Sequence, residues 1–122
     1  MKNMFDIMLE TQKELQKRFN IDFDKMTDTE RAIYIKEHSF WATDEIHEMI
    51  REVPFIKSWS KKYNSWDKEK MDAQKLKTKE EFIDVITFLM NVANALDFTG
   101  KEILDMYLEK NKLNHERQNT NY

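Results

Sequence analysis

Apolar residues recur at helical spacing along most of the chain and indicate an all-α protein. The clearest example lies in residues 78–96, where every third or fourth position is apolar: Phe82, Val85, Ile86, Leu89, Ala93 and Leu96. Thr78 followed by Glu81 has the spacing of a capping box and predicts that this helix begins at residue 78. The pattern therefore predicts a core helix with one broad apolar face.

The same periodicity predicts three further helices, over about residues 2–19, 27–53 and 99–113. The second of these is either continuous or interrupted near His38 and Ser39, and Pro54 ends it because proline disfavours helical geometry in the preceding residue. The last helix begins at a second capping-box pattern, Thr99 followed by Glu102. Residues 54–77 are rich in lysine and aromatic side chains and are predicted to form a connection with some helical turns.

Composition supports this interpretation and bounds the size of the core. The chain has 122 residues with one glycine and one proline, which leaves little material for tight turns or sheet edges. We expect one domain over residues 1–122, folded as a bundle of four to five helices. Because a chain this short buries only about 60–70% of its unfolded surface, we expect the bundle to be completed by homodimerisation.

Charge and residue usage exclude several classes of protein. The formal net charge is −3, which argues against direct nucleic-acid binding. The absence of cysteine excludes disulfides and thiolate metal sites. No apolar run approaches the ~20 residues of a membrane span, and the N-terminal residues lack the pattern of a signal peptide. We therefore expect a cytoplasmic location and no membrane partner.

Two predicted helices each carry a pair of acids at positions i and i+3: Glu45 with Glu48, and Glu81 with Asp84. If these helices pack side by side, four carboxylates converge, and they would repel one another and be costly to desolvate. A divalent cation removes that cost. Oxygen ligands suit Mg²⁺ or Mn²⁺, and Mg²⁺ commonly takes phosphate oxygens as further ligands. The pattern thus predicts a metal–phosphate site.

Two other interpretations of these acids stay open at this point. In a chain with 23 acidic residues, pairs at helical spacing also arise as solvated faces. A di-iron bundle would need Glu-x-x-His motifs on two helices, whereas only Asp44 and His47 have comparable spacing here. His47 is therefore expected on a polar face, as are His38 and His115.

The order of the motifs resembles one known family, the all-α nucleoside triphosphate pyrophosphatases, and within it the dimeric dUTPases and phage dCTP pyrophosphatases. The residues that carry the resemblance are Glu45-x-x-Glu48, Glu81-x-x-Asp84 and Lys110-Asn111-x-x-Asn114-x-x-Arg117-Gln118-x-x-x-Tyr122. The segment Lys57-Ser-Trp59 and the N-terminal Gln12-Lys-Glu-Leu15-Gln16 resemble further family motifs.

The resemblance implies a role for each of these residues. The acids Glu45, Glu48, Glu81 and Asp84 would hold Mg²⁺, and Glu48 or Glu45 would activate the attacking water. Phosphate contacts would come from Lys57, Lys110, Asn114, Arg117 and Tyr122. The pyrimidine would be held by Gln12, Gln16 and Trp59. The implied reaction is hydrolysis of dUTP, dCTP or both to the monophosphate and pyrophosphate, in the cytoplasm of a bacterial or phage-infected cell.

The chain departs from the family pattern at three positions. Gln16 stands where many dUTPases have asparagine, which leaves uracil and cytosine both open. Ser60 stands where the family often has lysine, so Lys61 or Lys62 would take its place. Asn121 replaces a glycine. Two alternatives to the narrow activity are a broad housecleaning pyrophosphatase of the MazG type and a non-catalytic helical dimer that binds nucleotides.

Overall fold

A computed structural model of the protein describes residues 1–120 and consists of helices and their connections. Its four α-helices are α1 (Met4–Lys17), α2 (Asp28–Glu52), α3 (Lys68–Ala95) and α4 (Gly100–Asn119). Short 3-10 turns lie at Phe23–Lys25 and Lys62–Ser65. Residues 1–120 contain no β-strand, so the all-α prediction is confirmed.

The helices α2 and α3 form a long antiparallel pair at the centre of the molecule. Arg31, near the start of α2, donates a hydrogen bond to the carbonyl oxygen of Ala95 at the end of α3 (2.8 Å). At the other end of the pair, the Thr78 hydroxyl donates to the carbonyl oxygen of Glu52 (2.9 Å). This arrangement aligns the middle of α2 with the middle of α3, where the acidic motifs lie.

The predicted start of α3 at Thr78 is wrong, because the helix begins ten residues earlier, at Lys68. The Asp67 side chain caps it by accepting from the backbone N–H of Lys70 (2.8 Å). Thr78 lies inside the helix and bonds to α2 instead. The lysine-rich segment before it consists largely of good helix formers, and a Thr-x-x-Glu spacing alone does not show whether the preceding residues are already helical. The capping box at Thr99 and Glu102 is confirmed.

The helix α2 runs without interruption through residue 38, so the alternative of a break there is excluded. The expectation that His38 lies on a polar face is also wrong, because its side chain is only 6% exposed. Its ring stacks on Tyr34, with centroids 3.8 Å apart. Aromatic neighbours on both sides of the ring provide the packing that an isolated sequence pattern does not reveal.

The core of the described chain is small, and the apolar face predicted for α3 is only partly buried. Phe82, Leu89 and Leu96 are each exposed by about half, whereas Val85 and Ala93 are buried. The exposed three are spaced seven residues apart, so they share one side of the helix. The buried apolar residues are Leu9, Phe23, Tyr34, Ala42, Tyr63, Val85, Ala93 and Ala95.

The start of α4 is fixed against the start of α1 at Gly100. The Gly100 N–H donates to the Asp6 carboxylate (2.9 Å), and the same carboxylate accepts from the backbone N–H of Asn3 (3.0 Å). A Cβ at residue 100 would lie 2.6 Å from the backbone nitrogen of Asp6, so only glycine fits without a shift. From this junction α4 extends to Asn119, six residues beyond the predicted end.

No single helix in residues 1–120 is both long and apolar enough to cross a membrane. The pair formed by α3 and α4 meets that test jointly by length and composition, but it is bent by 105°.

Candidate active site

The antiparallel pairing of α2 and α3 brings the two predicted acid pairs together. Carboxylate oxygens of Glu45, Glu81 and Asp84 all lie within 4.8 Å of one another. Glu48 lies one turn from Glu45 on α2 and acts electrostatically on both Glu45 and Glu81. We refer to these four residues as the acid cluster. No single helix could form it, since each contributes only two of the side chains.

The acid cluster is electrostatically unfavourable without a counter-ion. One oxygen of Glu45, Oε2, is buried and accepts no hydrogen bond from any residue in the described chain. Burial, together with the neighbouring Glu48 carboxyl and repulsion from Asp84 and Glu81, raises the pKa of Glu45. Burial and repulsion from Asp84 and Glu48 likewise raise the pKa of Glu81. Lys77 offsets this only in part, because it also pairs with Glu52 at 3.5 Å.

These residues fit a divalent metal ion. A buried carboxylate oxygen without a donor is costly unless a cation or proton satisfies it. The donor set consists of carboxylate oxygens, which suit Mg²⁺ or Mn²⁺ better than the softer metals that favour thiolate. The group contains no histidine, so among residues 1–120 nothing supports a di-iron site built from Glu-x-x-His motifs.

A cavity of about 520 Å³ lies beside the acid cluster, between α1, α2 and α3. The two glutamines for which the resemblance implies contacts with a base, Gln12 and Gln16, both line it. Gln16 is 8% exposed, and its Oε1 accepts a hydrogen bond from the Tyr34 hydroxyl (3.0 Å). That bond orients the Gln16 amide, and it leaves the Nε2 group as a donor for other partners.

The lining residues that the sequence analysis did not assign to the site include His38, Trp41 and Asn91. The Trp41 ring packs edge-on against His38 (4.7 Å between centroids), and Asn91 Nδ2 lies 3.4 Å from His38 Nδ1. Burial lowers the pKa of His38, which favours the neutral imidazole that such a contact requires. Helical spacing could have found Trp41, since it precedes Glu45 by one turn and therefore shares its side of α2.

The cavity and the acid cluster are adjacent along both central helices. On α2, Trp41 lines the cavity and Glu45, four residues later, belongs to the cluster. On α3, Asp84 belongs to the cluster and Phe88, four residues later, lines the cavity. Four residues of helix rise about 6 Å. An aromatic cavity with amide groups thus adjoins the acid cluster.

The structure separates the remaining sequence-predicted site residues from this cavity. Trp59 is 78% exposed in the connection between α2 and α3, and it does not line the cavity. Lys57 lines a different, basic cavity in the same connection. Trp41, and not Trp59, lines the cavity together with Gln12 and Gln16.

The phosphate-binding residues implied on α4 lie on exposed helix. Lys110 borders a shallow apolar cavity of about 340 Å³ formed with residues of α3, including Met90. Asn114 and Arg117 follow on the exposed C-terminal half of α4. Tyr122 lies outside the described residues. In residues 1–120, neither Lys110 nor Asn114 forms a side-chain hydrogen bond or ion pair with the acid cluster.

Comparison with known proteins points to one family. Residues 73–122 match the family model described as dUTPase. The resemblance to the dUTPase and dCTP pyrophosphatase family is confirmed. Over an alignment of 70 positions the chain is 31% identical to the dCTP pyrophosphatase of Enterobacteria phage T4, and the alignment covers 54% of this chain and 41% of the phage protein. No solved structure matches the chain significantly.

The family match and the site overlap only in part. The matched residues 73–122 include Glu81 and Asp84 of the acid cluster and all of α4. They do not include Glu45, Glu48 or the two glutamines. The first acid pair and the cavity therefore rest on the geometry described above.

Proposed function

We propose that this protein is a metal-dependent pyrophosphatase that hydrolyses deoxypyrimidine triphosphates, dCTP, dUTP or both, to the monophosphate and pyrophosphate. The observation that carries the proposal is the position of the acid cluster directly beside a cavity lined by Gln12, Gln16 and aromatic rings. A nucleoside triphosphate has a base at one end and its reacting phosphates at the other, so a cavity for the base directly beside a group of acids suits it. The similarity to the dUTPase family and to a phage dCTP pyrophosphatase supports the same class of reaction.

The cavity supplies groups that suit a pyrimidine ring. Trp41 offers an apolar ring face, and the amides of Gln12 and Gln16 offer donors and acceptors for the base edge. Because the Tyr34 hydroxyl holds Gln16 Oε1, the Gln16 Nε2 group is oriented to donate to a carbonyl oxygen or ring nitrogen of the base. Cytosine and uracil both present such an acceptor.

The acid cluster supplies the groups that hydrolysis of a phosphoanhydride requires. A Mg²⁺ ion bound by Glu45, Glu48, Glu81 and Asp84 would neutralise phosphate charge and lower the pKa of a coordinated water. Glu48, exposed and one turn from Glu45, is the residue we assign to accept the proton of the attacking water. The water oxygen forms a bond to phosphorus, the bridging P–O bond breaks, and pyrophosphate leaves with the electron pair.

We further propose that two copies of the chain associate. The described protomer leaves a row of apolar side chains on α3 exposed, Phe82, Leu89 and Leu96, and α4 exposes Tyr107 and Leu108. A second copy that covered these faces would enlarge a small core. Light scattering coupled to size-exclusion chromatography should give twice the 14.9 kDa chain mass, and a monomer would contradict this part of the proposal.

The decisive test is pyrophosphate release from a panel of deoxynucleoside triphosphates with Mg²⁺. We expect dCTP or dUTP to be hydrolysed at least tenfold faster than dATP and dGTP. Glu48→Gln should lose turnover, whereas Glu80→Gln, which removes the same charge from an exposed neighbouring position on α3, should retain it. Equal turnover of purine and pyrimidine substrates would favour the MazG type of activity. Absence of release from every substrate would refute both enzyme assignments.

A further inference from the structure

The cavity between α1, α2 and α3 is lined by two amides whose oxygens are buried and accept no hydrogen bond from any residue in the described chain. These oxygens are Oδ1 of Asn91 and Oε1 of Gln12. Asn91 is only 2% exposed, so its amide has little contact with solvent to compensate for the missing donor. A buried acceptor without a donor is costly, and a ligand that brings N–H groups to these oxygens removes the cost.

The orientation of the Asn91 amide is set by His38. Asn91 Nδ2 lies 3.4 Å from His38 Nδ1. Because an amide nitrogen only donates, His38 Nδ1 is the acceptor in this contact, and the Asn91 oxygen is the atom left for a ligand. Burial lowers the pKa of His38 and so favours the neutral ring that an acceptor requires. The His38 ring is itself held by its stack on Tyr34.

Gln16 contributes the opposite polarity to the cavity. Its Oε1 already accepts from the Tyr34 hydroxyl (3.0 Å), so the group left for a ligand is the donor Nε2. The amides around the cavity therefore combine one oriented donor with two acceptors that lack a donor. A ligand that matches them has two N–H bonds and an acceptor along one edge.

Cytosine has such an edge and uracil does not. The 4-amino group of cytosine carries two N–H donors, and N3 and O2 on the same edge are acceptors. Uracil has a carbonyl oxygen in place of the amino group, and its edge carries a single N–H donor, at N3. Uracil would therefore leave at least one of the two buried amide oxygens without a donor, which costs binding free energy.

We infer that this cavity selects cytosine over uracil, because Asn91 Oδ1 and Gln12 Oε1 accept from the 4-amino group while Gln16 Nε2 donates to an acceptor of the same base. Asn91 is then a specificity-determining residue, and His38 is a positioning residue that acts through Asn91. Neither residue belongs to the motifs that carry the family resemblance. The inference rests on the proposed function and narrows its substrate from either deoxypyrimidine triphosphate to dCTP.

The test compares the binding of dCMP and dUMP to the full chain by isothermal titration calorimetry with Mg²⁺ present. Wild type should bind dCMP at least about tenfold more tightly than dUMP, because only cytosine satisfies both buried oxygens. The deoxynucleotide of pyrimidin-2-one, which is cytosine without its amino group, should bind no more tightly than dUMP. Equal affinity for dCMP and dUMP would overturn the inference, and so would binding of the pyrimidin-2-one nucleotide as tight as that of dCMP.

A pair of variants tests the assignment of Asn91. Asn91→Leu keeps a similar volume and removes the acceptor, so the affinity ratio of dCMP to dUMP should fall to within about threefold of unity. Asn94→Leu is the matched control. Asn94 is equally buried on α3, and its Oδ1 also lacks a donor in residues 1–120, but the residue does not line the cavity. Its ratio should equal that of wild type.

The ratio is insensitive to partial unfolding of a variant. Both nucleotides are measured on the same protein, so an unfolded fraction weakens the two apparent affinities alike. A wild-type ratio in Asn91→Leu would refute the assignment of Asn91, and so would loss of the ratio in Asn94→Leu. If Asn91→Leu does not fold, the pyrimidin-2-one nucleotide tests recognition of the amino group on wild type.

His38→Phe tests the positioning role. Phenylalanine retains an aromatic ring to stack on Tyr34 but has no Nδ1 acceptor, so the Asn91 amide can rotate and present Nδ2 instead of Oδ1. The variant should bind dUMP more tightly than wild type does, since Nδ2 can donate to the O4 of uracil. Loss of packing alone would not increase affinity for one nucleotide. An unchanged ratio of dCMP to dUMP affinity would refute the role of His38.

The inference and the proposed function fail in different ways. If wild type hydrolyses dCTP and dUTP but binds dCMP and dUMP equally, only the selection of cytosine is refuted. If wild type releases pyrophosphate from no triphosphate, the proposed function fails whether or not the cavity distinguishes the two monophosphates.

Discussion

Replacing Gly100 with alanine tests how tightly α4 is fixed to α1. The Cβ of an alanine would lie 2.5 Å from the Asp6 Cγ and 2.6 Å from the Asp6 backbone nitrogen. The second of these atoms belongs to α1 itself and cannot rotate away, so the two helix starts must separate. Separation also lengthens the hydrogen bond that the Gly100 N–H donates to the Asp6 carboxylate, whose nitrogen–oxygen distance is 2.9 Å in the native arrangement.

The size of the effect follows from two opposing terms. Inserting a methyl group into a packed contact costs about 1–3 kcal/mol. Alanine recovers about 0.5–1 kcal/mol of this, because it loses less conformational freedom than glycine in a helix. Because the clash includes a backbone atom that cannot rotate away, the upper part of the first range applies, about 2–3 kcal/mol. The expected net loss of unfolding free energy is then about 1–2.5 kcal/mol, which corresponds to a melting temperature about 4–10 °C lower for a chain of this size.

Thermal unfolding followed by circular dichroism measures this loss. Lys101→Ala is the matched control, since it changes the next residue of α4, whose side chain is exposed and forms only a surface pair with Asp105. Its effect should stay within about 0.5 kcal/mol. If Gly100→Ala melts at the wild-type temperature or above it, the close approach of the two helix starts does not exist and the argument is refuted.

Three further changes test the site and its supports. Glu45→Gln should abolish both turnover and the Mg²⁺-dependent rise in melting temperature, while Glu80→Gln keeps both; a metal-dependent shift that survives in Glu45→Gln would contradict the metal assignment. The pKa of Asp6 lies below its ordinary 3.8, because its carboxylate accepts hydrogen bonds from the backbone N–H groups of Asn3 and Gly100. The ionised carboxylate therefore stabilises the folded state above pH 3.8, and this stabilisation is lost as the pH falls through the lowered pKa. Melting temperature between pH 6 and 2 should therefore fall more steeply for wild type than for Asp6→Asn, and parallel curves would exclude the contribution. Gln16→Leu should weaken dCMP or dUMP binding about tenfold. Tyr34→Phe, which only frees the Gln16 amide to rotate, should weaken this binding less. An equal loss of affinity in the two variants would show that the orientation of the amide contributes as much as the amide itself.

Much of the fold follows from sequence periodicity. The helical class, the end of α2 at Pro54 and the capping box at Thr99 are confirmed because each depends on local backbone chemistry. The start of α3 was wrong for the same reason: Thr78 has the local spacing of a cap, but its hydroxyl bonds to α2, 26 residues away in sequence. Local spacing does not distinguish a cap from a contact between helices.

The candidate site was predictable to a comparable extent. Pairing of Glu45 with Asp84 and Glu81 follows from two amphipathic helices of similar length, so the acid cluster could be predicted before the structure was known. Trp41 could have been found from its helical spacing to Glu45, but the contact between His38 and Asn91 could not, because these two residues meet only when α2 and α3 are aligned in one specific register. The base contact that the resemblance implies for Trp59 stays a prediction, since this side chain is 78% exposed and lies outside the cavity.

The uninterrupted course of α2 restricts how this protein can diverge. One continuous helix carries Trp41, Glu45, Glu48 and Arg51. One inserted residue between Trp41 and Glu45 would therefore rotate every later side chain by about 100° around the helix axis. The acids would then point away from α3, and no loop lies between the two sites to absorb the change. Related chains should therefore tolerate point substitutions along this segment but almost no change in its length. Insertions should accumulate instead in the connection after Val53, where backbone geometry is already irregular.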